Sequence, residues 1–275
     1  MKNKLIIMTC SVFILFSLFS TSFPCSIFVY RTENGLLYGR NFDWYEKGGT
    51  INFINPDRIY GVSTLSLMQI QQMGIDRPYE GINSAGLCIA MAAVENDTST
   101  QKSDNKVEIN DLGLIRFVLE RAQTTEQALS IMNTFRIDYM IKNKYPKVHY
   151  LICDKDNNAA IFNEGRKIEK KKLQIGDYIC LTNTVYNSTN NDKRFNILNA
   201  ELSKKRIKNT DNAFSLLNQV KQPITIWSSV YNITDKSMYL LLDENNNKLI
   251  KIEFNDSNKY GPSIDLGELV NRYKQ

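Results

Sequence analysis

The feature that most narrows what this chain can become is the position of Cys25, directly behind an apolar leader. Two lysines stand within Met1 to Lys4, "LIIMTCSVFILFSLF" then runs without a charge, and the small residues Ser20, Thr21 and Ser22 follow. That order is the pattern of a secretory signal peptide. The apolar run from Leu5 to Phe19 is shorter than the roughly 20 residues a membrane-spanning helix needs. Ser20 and Ser22 hold the small positions three and one residues before a cut, which would leave Phe23-Pro24-Cys25. Residues 1–24 are therefore expected to leave as signal peptide and short pro-segment, and residues 25–275 to form one domain. The product is expected to be exported, either periplasmic or secreted.

From Cys25 onward the chain is long enough to bury a sizeable core and contains no linker-like stretch. Of 34 basic residues two leave with the leader, so 32 face 29 acidic ones. That surplus is too small and too scattered to call for nucleic acid, and nothing after the leader calls for stable insertion into a membrane. The run "RKIEKKK" at 166–172 reads as a solvated strand edge or turn. Of the five cysteines Cys10 leaves with the leader. Cys88, Cys153 and Cys180 lie in short apolar runs and read as buried, inert thiols; their spacing proposes no particular disulfide.

Strand-like and helix-like segments come in blocks. "SIFVYR" and "LLYGR" flank the turn-rich "TENG" as a hairpin, and "INFIN", a run near Tyr60 to Leu67 and "GLCIAMAAV" extend the strand set. Helical periodicity then places Leu112, Ile115, Leu119 and Ala122 on one face, and Thr124 with Gln127 forms a capping box opening a second helix. Strands return at "VHYLICD", "AAIFN" and "DYICLTN". Residues 192–220 read as helical, with Thr210 or Asp211 capping the second piece, and "ITIWSSVYN", "MYLLLD" and "KLIKIEF" close as strands around a turn at 244–247. Blocks of this kind indicate an α+β layered fold rather than an alternating parallel sheet.

A thiol attacks as its thiolate and ordinarily has a base beside it. The chain has one histidine, His149, within "PKVHYLICD". It reads as a residue on one face of a strand, with no thiol-protease motif around it, so neither a Cys–His dyad nor a His-based metal site is expected. A different base is at hand if Cys25 becomes the first residue. A free α-amino group has a pKa of about 7.7 to 8.0, close enough to neutrality to take the proton of its own thiol directly or through water. Nucleophile and base would then belong to one residue, and the same thiol could attack the Pro24–Cys25 bond to complete its own release. The competing reading of Cys25 is a lipid-modified cysteine on an anchored binding protein. Pro24 immediately before the cysteine speaks against it, because lipoprotein processing calls for a small residue there.

"CSIFVYR" followed by "GRNFDW" resembles the start of mature choloylglycine hydrolases and penicillin V acylases, the linear amide C–N hydrolases of the N-terminal nucleophile class. "INSAGLCIA" resembles the family's Asn-x-x-Gly-Leu segment, "LTN" its Thr-Asn segment and "KRF" its Arg-Phe pair. "WSSVYN" is similar to a late segment of related acyltransferases and ceramidase-like amidases. The resemblance implies a four-layer αββα sandwich and a hydrolase acting on carbon–nitrogen bonds of linear amides, without metal or cofactor. It implies Cys25 as nucleophile, Asp43 holding its α-amine, Arg40 against the thiol favouring its ionised form, and Arg194 adding positive charge nearby. Asn183 with Asn83 would donate to the oxyanion of the tetrahedral intermediate. Each of these also has an ordinary reading, Arg40 with Asp43 as a strand-end pair, Asn83 and Asn183 as turn residues and Arg194 as the first turn of a solvated helix.

The implied partner is a small-molecule amide joining an apolar acyl group to a polar amine, such as a conjugated bile acid, penicillin V or an N-acyl amino acid. The same intermediate could pass its acyl group to another amine, so an acyltransferase of the acyl-CoA:6-aminopenicillanic acid type stands beside the hydrolase. The chain is shorter than typical choloylglycine hydrolases, and Phe23-Pro24 precedes the nucleophile where other members carry only the initiator methionine. Substrate choice and association into a homo-oligomer therefore stay open at this point.

Overall fold

The computed structural model describes residues 25–56, 65–72, 78–94, 97, 105–138, 147–186, 192–242 and 248–274. The leader, Phe23-Pro24 and the turn at 244–247 lie outside the described residues. In chain order come β1 (Ser26–Thr32), β2 (Gly35–Asp43), β3 (Thr50–Ile54), β4 (Leu67–Gln71), β5 (Glu80–Asn83), β6 (Cys88–Val94) and β7 (Val107–Asn110). Two helices, α1 (Asp111–Arg121) and α2 (Thr125–Met132), precede β8 (Phe135–Asp138), β9 (Lys147–Cys153), β10 (Asn158–Phe162), β11 (Glu169–Lys172) and β12 (Tyr178–Leu181). After α3 (Lys193–Ser203) and α4 (Thr210–Gln219) follow β13 (Thr225–Asn232), β14 (Ser237–Leu242), β15 (Ile250–Ile252), a short 3-10 turn, α5 (Ser257–Tyr260), β16 (Ser263–Asp265) and α6 (Leu266–Lys274).

Apart from β7 and β8, which pair with each other, hydrogen bonding gathers these strands into a six-stranded sheet, β12-β1-β2-β13-β14-β15, and an eight-stranded sheet, β11-β10-β9-β6-β5-β4-β3-β16. Both are antiparallel throughout. Strand alternation explains why two sheets need two further layers. On β1, Ile27 and Val29 face the opposite sheet, while Phe28 and Tyr30 join an outer core with Leu198, Leu202, Phe214 and Leu217 of α3 and α4. Across the sandwich, Tyr150 of β9 turns outward and donates to Asp111 O at the start of α1. Helices α1 and α2 cover that outer face. The order is helices, sheet, sheet, helices: the αββα sandwich implied by the resemblance.

Local signals explain most helix starts. Thr124 Oγ1 accepts from Gln127 N, and Gln127 Oε1 accepts from Gln123 N, one residue before the position a standard capping box uses. The cap of α4 is Asn209, whose Oδ1 accepts from Asn212 N, not Thr210 or Asp211. Of the strand expected near 60–67, residues 60–64 lie outside the described residues; a strand occupies Leu67–Gln71. The basic run at 166–172 forms edge strand β11 from Glu169 on, with Lys170, Lys171 and Lys172 exposed. Sequence reading did not anticipate α6, although Leu266, Leu269, Val270 and Tyr273 mark a helical face that packs on the core. Among the described residues no helix is long and apolar enough to cross a membrane.

Candidate active site

Cys25 stands one residue before β1, and the hairpin register sets Ser26 opposite Asn41 and Ile27 opposite Arg40. Alternation then turns Cys25, Ile27 and Val29 inward from β1, and Leu36, Tyr38, Arg40 and Phe42 inward from β2. Arg40 is wholly buried, and its Nη2 donates to Cys25 Sγ at 3.6 Å while Nη1 donates to Tyr79 O at 2.7 Å. Asn41 turns the other way, and its Nδ2 donates to Leu217 O of α4, holding that helix on the sheet.

Behind Arg40 lies a buried carboxylate that sequence reading missed. Glu80 sits 3.8 Å from Arg40 Nη1 and accepts from Trp227 Nε1 at 2.6 Å and from Ser229 Oγ at 2.9 Å. Burial raises the pKa of Glu80, against the pull of Arg40, Trp227 and Ser229. For Arg40, burial works against the cation but Cys25 and Glu80 outweigh it, leaving its pKa raised. A lone Glu in "PYEGIN" carries no motif; only "WSSVYN", which supplies both of its neutral donors, hinted at a role for that late strand.

The backbone of Cys25 is held from the other side. Cys25 N donates to Asn183 Oδ1 at 2.6 Å, and Arg194 Nη1 donates to Cys25 O at 3.0 Å. Arg194 also donates through Nη2 to Asn183 Oδ1 at 3.0 Å and to Asp192 Oδ2 at 2.7 Å. Asp192 caps α3 through Phe195 N, which places Arg194 in the first turn of that helix. Nitrogen, oxygen and sulfur of one residue are thus each bound by a different buried or nearly buried side chain.

Asp43 closes this group. Its Oδ1 accepts from Thr225 Oγ1, and its Oδ2 is buried without a hydrogen-bond partner among the described residues, 3.9 Å from Arg194 Nη1. Burial pushes its pKa up to about 6, against Thr225 and Arg194. A register shift in β13 between Thr225 and Trp227 makes this possible. Without it, residues 225, 227 and 229 would share one face; with it, Trp227 and Ser229 serve Glu80 inside while Thr225 serves Asp43.

Asn83 does not join the others. Parity on β5 turns Glu80 inward and Asn83 toward α1, where its Nδ2 donates to Leu119 O at 2.9 Å and Ala122 O at 2.7 Å. Both amide hydrogens satisfy carbonyls left open at the helix end. Its Oδ1 accepts from Ala85 N and Leu87 N. The oxyanion role implied for Asn83 therefore has no side-chain donor to perform it, and its work is to shape the turn and hold α1. Among the described residues no cluster of three or more His, Cys, Asp or Glu could hold a metal ion.

The fold matches that of known proteins. A conjugated bile acid hydrolase from Clostridium perfringens superposes with a TM-score of 0.62 at 17% identity, covering 84% of this chain and 93% of that one. Penicillin V acylase from Agrobacterium tumefaciens gives 0.57 at 16%, covering 88% and 91%. The Caenorhabditis elegans ortholog of N-acylethanolamine-hydrolyzing acid amidase gives 0.55 at 15%, covering 76% and 93%. At such identities the likeness is one of fold. No curated protein matches the chain. The family model of linear amide C–N hydrolases, choloylglycine hydrolase family, matches residues 25–215, starting at Cys25 itself. The chain belongs to that family and is a hydrolase of linear amide carbon–nitrogen bonds.

Proposed function

We propose that the protein is an exported cysteine amidase whose nucleophile is Cys25 after removal of residues 1–24. The observation that carries this reading is that Cys25 N, O and Sγ are each engaged by a separate side chain, Asn183, Arg194 and Arg40. An ordinary core cysteine needs no such grip on its own backbone. The leader pattern from Met1 to Ser22 and the family match beginning at Cys25 support the same processing and an exported location.

With its nitrogen freed, the α-amine accepts the thiol proton and Arg40 faces the resulting thiolate. The thiolate adds to the amide carbonyl, and the oxyanion that forms is given to Asn183 Nδ2, which shares this work with its bond to Ala93 O, since both Nδ2 hydrogens of Asn83 are committed to α1. Collapse returns the proton to the leaving amine, breaks the C–N bond and leaves an acyl-Cys25 thioester. The amine next takes a proton from water, whose oxygen attacks the thioester to release the acid and restore the thiol. Asp43 Oδ2, buried and without a hydrogen-bond partner among the described residues, receives the ammonium that appears in this cycle. The substrate pairs an apolar acyl group with a polar amine, the class to which conjugated bile acids, penicillin V and N-acyl amino acids belong.

Intact-mass and N-terminal peptide analysis of the exported protein tests the processing: an unmodified Cys as residue one is expected, whereas a lipid on Cys25 or full activity with Phe23-Pro24 retained would overturn it. Cys25→Ser is expected to lower amide hydrolysis at least about a thousand-fold; near-normal turnover would end the assignment.

A further inference from the structure

Asn183 reaches Cys25 from the segment just after β12, an edge strand of the six-stranded sheet. Two hydrogen bonds tie this segment across the sandwich to the opposite sheet. Asn183 Nδ2 donates to Ala93 O at 2.9 Å, and His149 Nε2 bonds Thr182 O at 2.7 Å. A carbonyl has no proton to give, so the imidazole must be the donor and Nε2 carries the hydrogen. The anchors lie on neighbouring strands β6 and β9, where Ala92 stands opposite His149 and Ala93 opposite Val148. The ladder between these strands therefore fixes the two anchor points relative to each other.

His149 is the chain's one histidine and is fully buried, facing inward because Tyr150 beside it faces α1. Burial holds its pKa down to about 4, so the ring is neutral near pH 7, and its bare Nδ1 has no hydrogen-bond partner among the described residues. An unpaired polar atom in a packed interior is a cost that phenylalanine or leucine in the same place would not incur. What the ring gives in return is the bond to Thr182 O, one residue before the side chain that receives Cys25 N.

We infer that His149 is a positioning residue for amide hydrolysis: by holding Thr182 O across the sandwich, it fixes the adjacent Asn183 side chain on the α-nitrogen of Cys25. The inference rests on the cysteine-amidase reading above. His149 touches neither Cys25 nor substrate in this scheme and acts only through Asn183.

Nitrogen-15 NMR of the mature enzyme reads the ring directly, with the Nε2–H tautomer expected; the Nδ1–H tautomer would overturn the inference. His149→Gln offers an amide N–H to the same carbonyl, whereas His149→Phe fills the volume without a donor. The Gln variant is expected to keep most of kcat. The Phe variant is expected to lose roughly 10- to 100-fold in kcat with KM little changed. Its acid-side kcat midpoint should also move to lower pH, because Asn183 Oδ1 no longer supports the protonated amine. Full kcat in the Phe variant, or equal losses in both variants tracking a fall in Tm, would overturn the inference. Should the Phe variant not fold, the ring tautomer decides. Acyl-Cys25 is trapped by mass spectrometry alongside: its absence in the wild type sinks the amidase reading itself, while undiminished acylation in the Phe variant sinks only the part given to His149.

Discussion

Arg40 and Glu80 face each other 3.8 Å apart with both side chains wholly out of solvent. Breaking such a pair by removing one charge costs about 3–5 kcal/mol, because the survivor is left buried and uncompensated. Glu80→Gln keeps an acceptor for Trp227 Nε1 and Ser229 Oγ but deprives Arg40 of its counter-charge. Denaturant unfolding is expected to show a loss of this order, together with a fall in kcat as the guanidinium shifts from Cys25 Sγ. Wild-type stability and turnover in this variant would show that the pair governs neither.

Asp43 makes the fold pay for function in a pH-dependent way. Its carboxyl has a pKa of about 6 in the folded chain against 3.8 for a free side chain, burial being the main cause. The folded state thus binds the extra proton between these values. Asp43 costs nothing below about pH 4, and its cost grows to about 3 kcal/mol above pH 6. Asp43→Asn in the unprocessed chain is expected to raise stability by up to that amount at pH 7 and by nothing at pH 3.5, and the same substitution in the processed enzyme to abolish amide hydrolysis. Urea titrations at the two pH values, with an activity assay, check both halves.

His149 runs the opposite way over nearly the same window. Its pKa falls from 6.5 to about 4, chiefly through burial, so the unfolded chain binds the proton first. Its contribution is complete above about pH 6.5 and lost by up to about 3 kcal/mol as pH falls to 4. In the wild type the two groups offset each other. His149→Gln is expected to remove the acid-side loss and leave a chain that gains stability as Asp43 protonates, seen as a Tm that rises between pH 6 and 4 relative to the wild type.

Thiol chemistry separates Cys25 from its namesakes. Cys88 and Cys153 are opposed across β6 and β9, free and buried, and burial raises the Cys88 pKa well above its usual value. The Cys180 thiol is pushed up to about 12 by burial. Cys25 is buried like the other three in the unprocessed chain, and what sets it apart is its place beside the segment that processing removes. Iodoacetamide applied to the native mature protein is therefore expected to modify Cys25 alone, with the other three following only in denaturant. Peptide mapping that finds native labelling at Cys88 or Cys153 would contradict the packing between the sheets.

What could be read from the chain followed sequence distance. Cys25, Arg40 and Asp43 belong to one hairpin whose turn fixes their register, but the roles of Arg40 and Asp43, like those of Asn183 and Arg194, could be assigned only through resemblance to a family. For Asn183 and Arg194 even the position was out of reach, because nothing local in "LTN" or "KRF" tells which strand end they will meet. Asn83 shows the limit of that route. Its motif was recognisable, but a one-residue parity decides whether a strand side chain faces the nucleophile or a helix, and parity on a strand as short as Glu80–Asn83 depends on partners far away in sequence. Glu80 was invisible for the same reason, since its charge makes sense only once Arg40 and Trp227 arrive from other strands. Helix α6, by contrast, displayed its apolar period in plain view.

Chain ends are ordinarily where a fold frays. The residues beside Cys25 are sewn on both flanks, Ser26 to Asn41 on one strand and Ile27 to Leu181 on the other. A cut before Cys25 would consequently create a terminus without slack. The new amine would come into being at a place already held by Asn183 Oδ1, sparing the nucleophile the wandering that a free end normally brings.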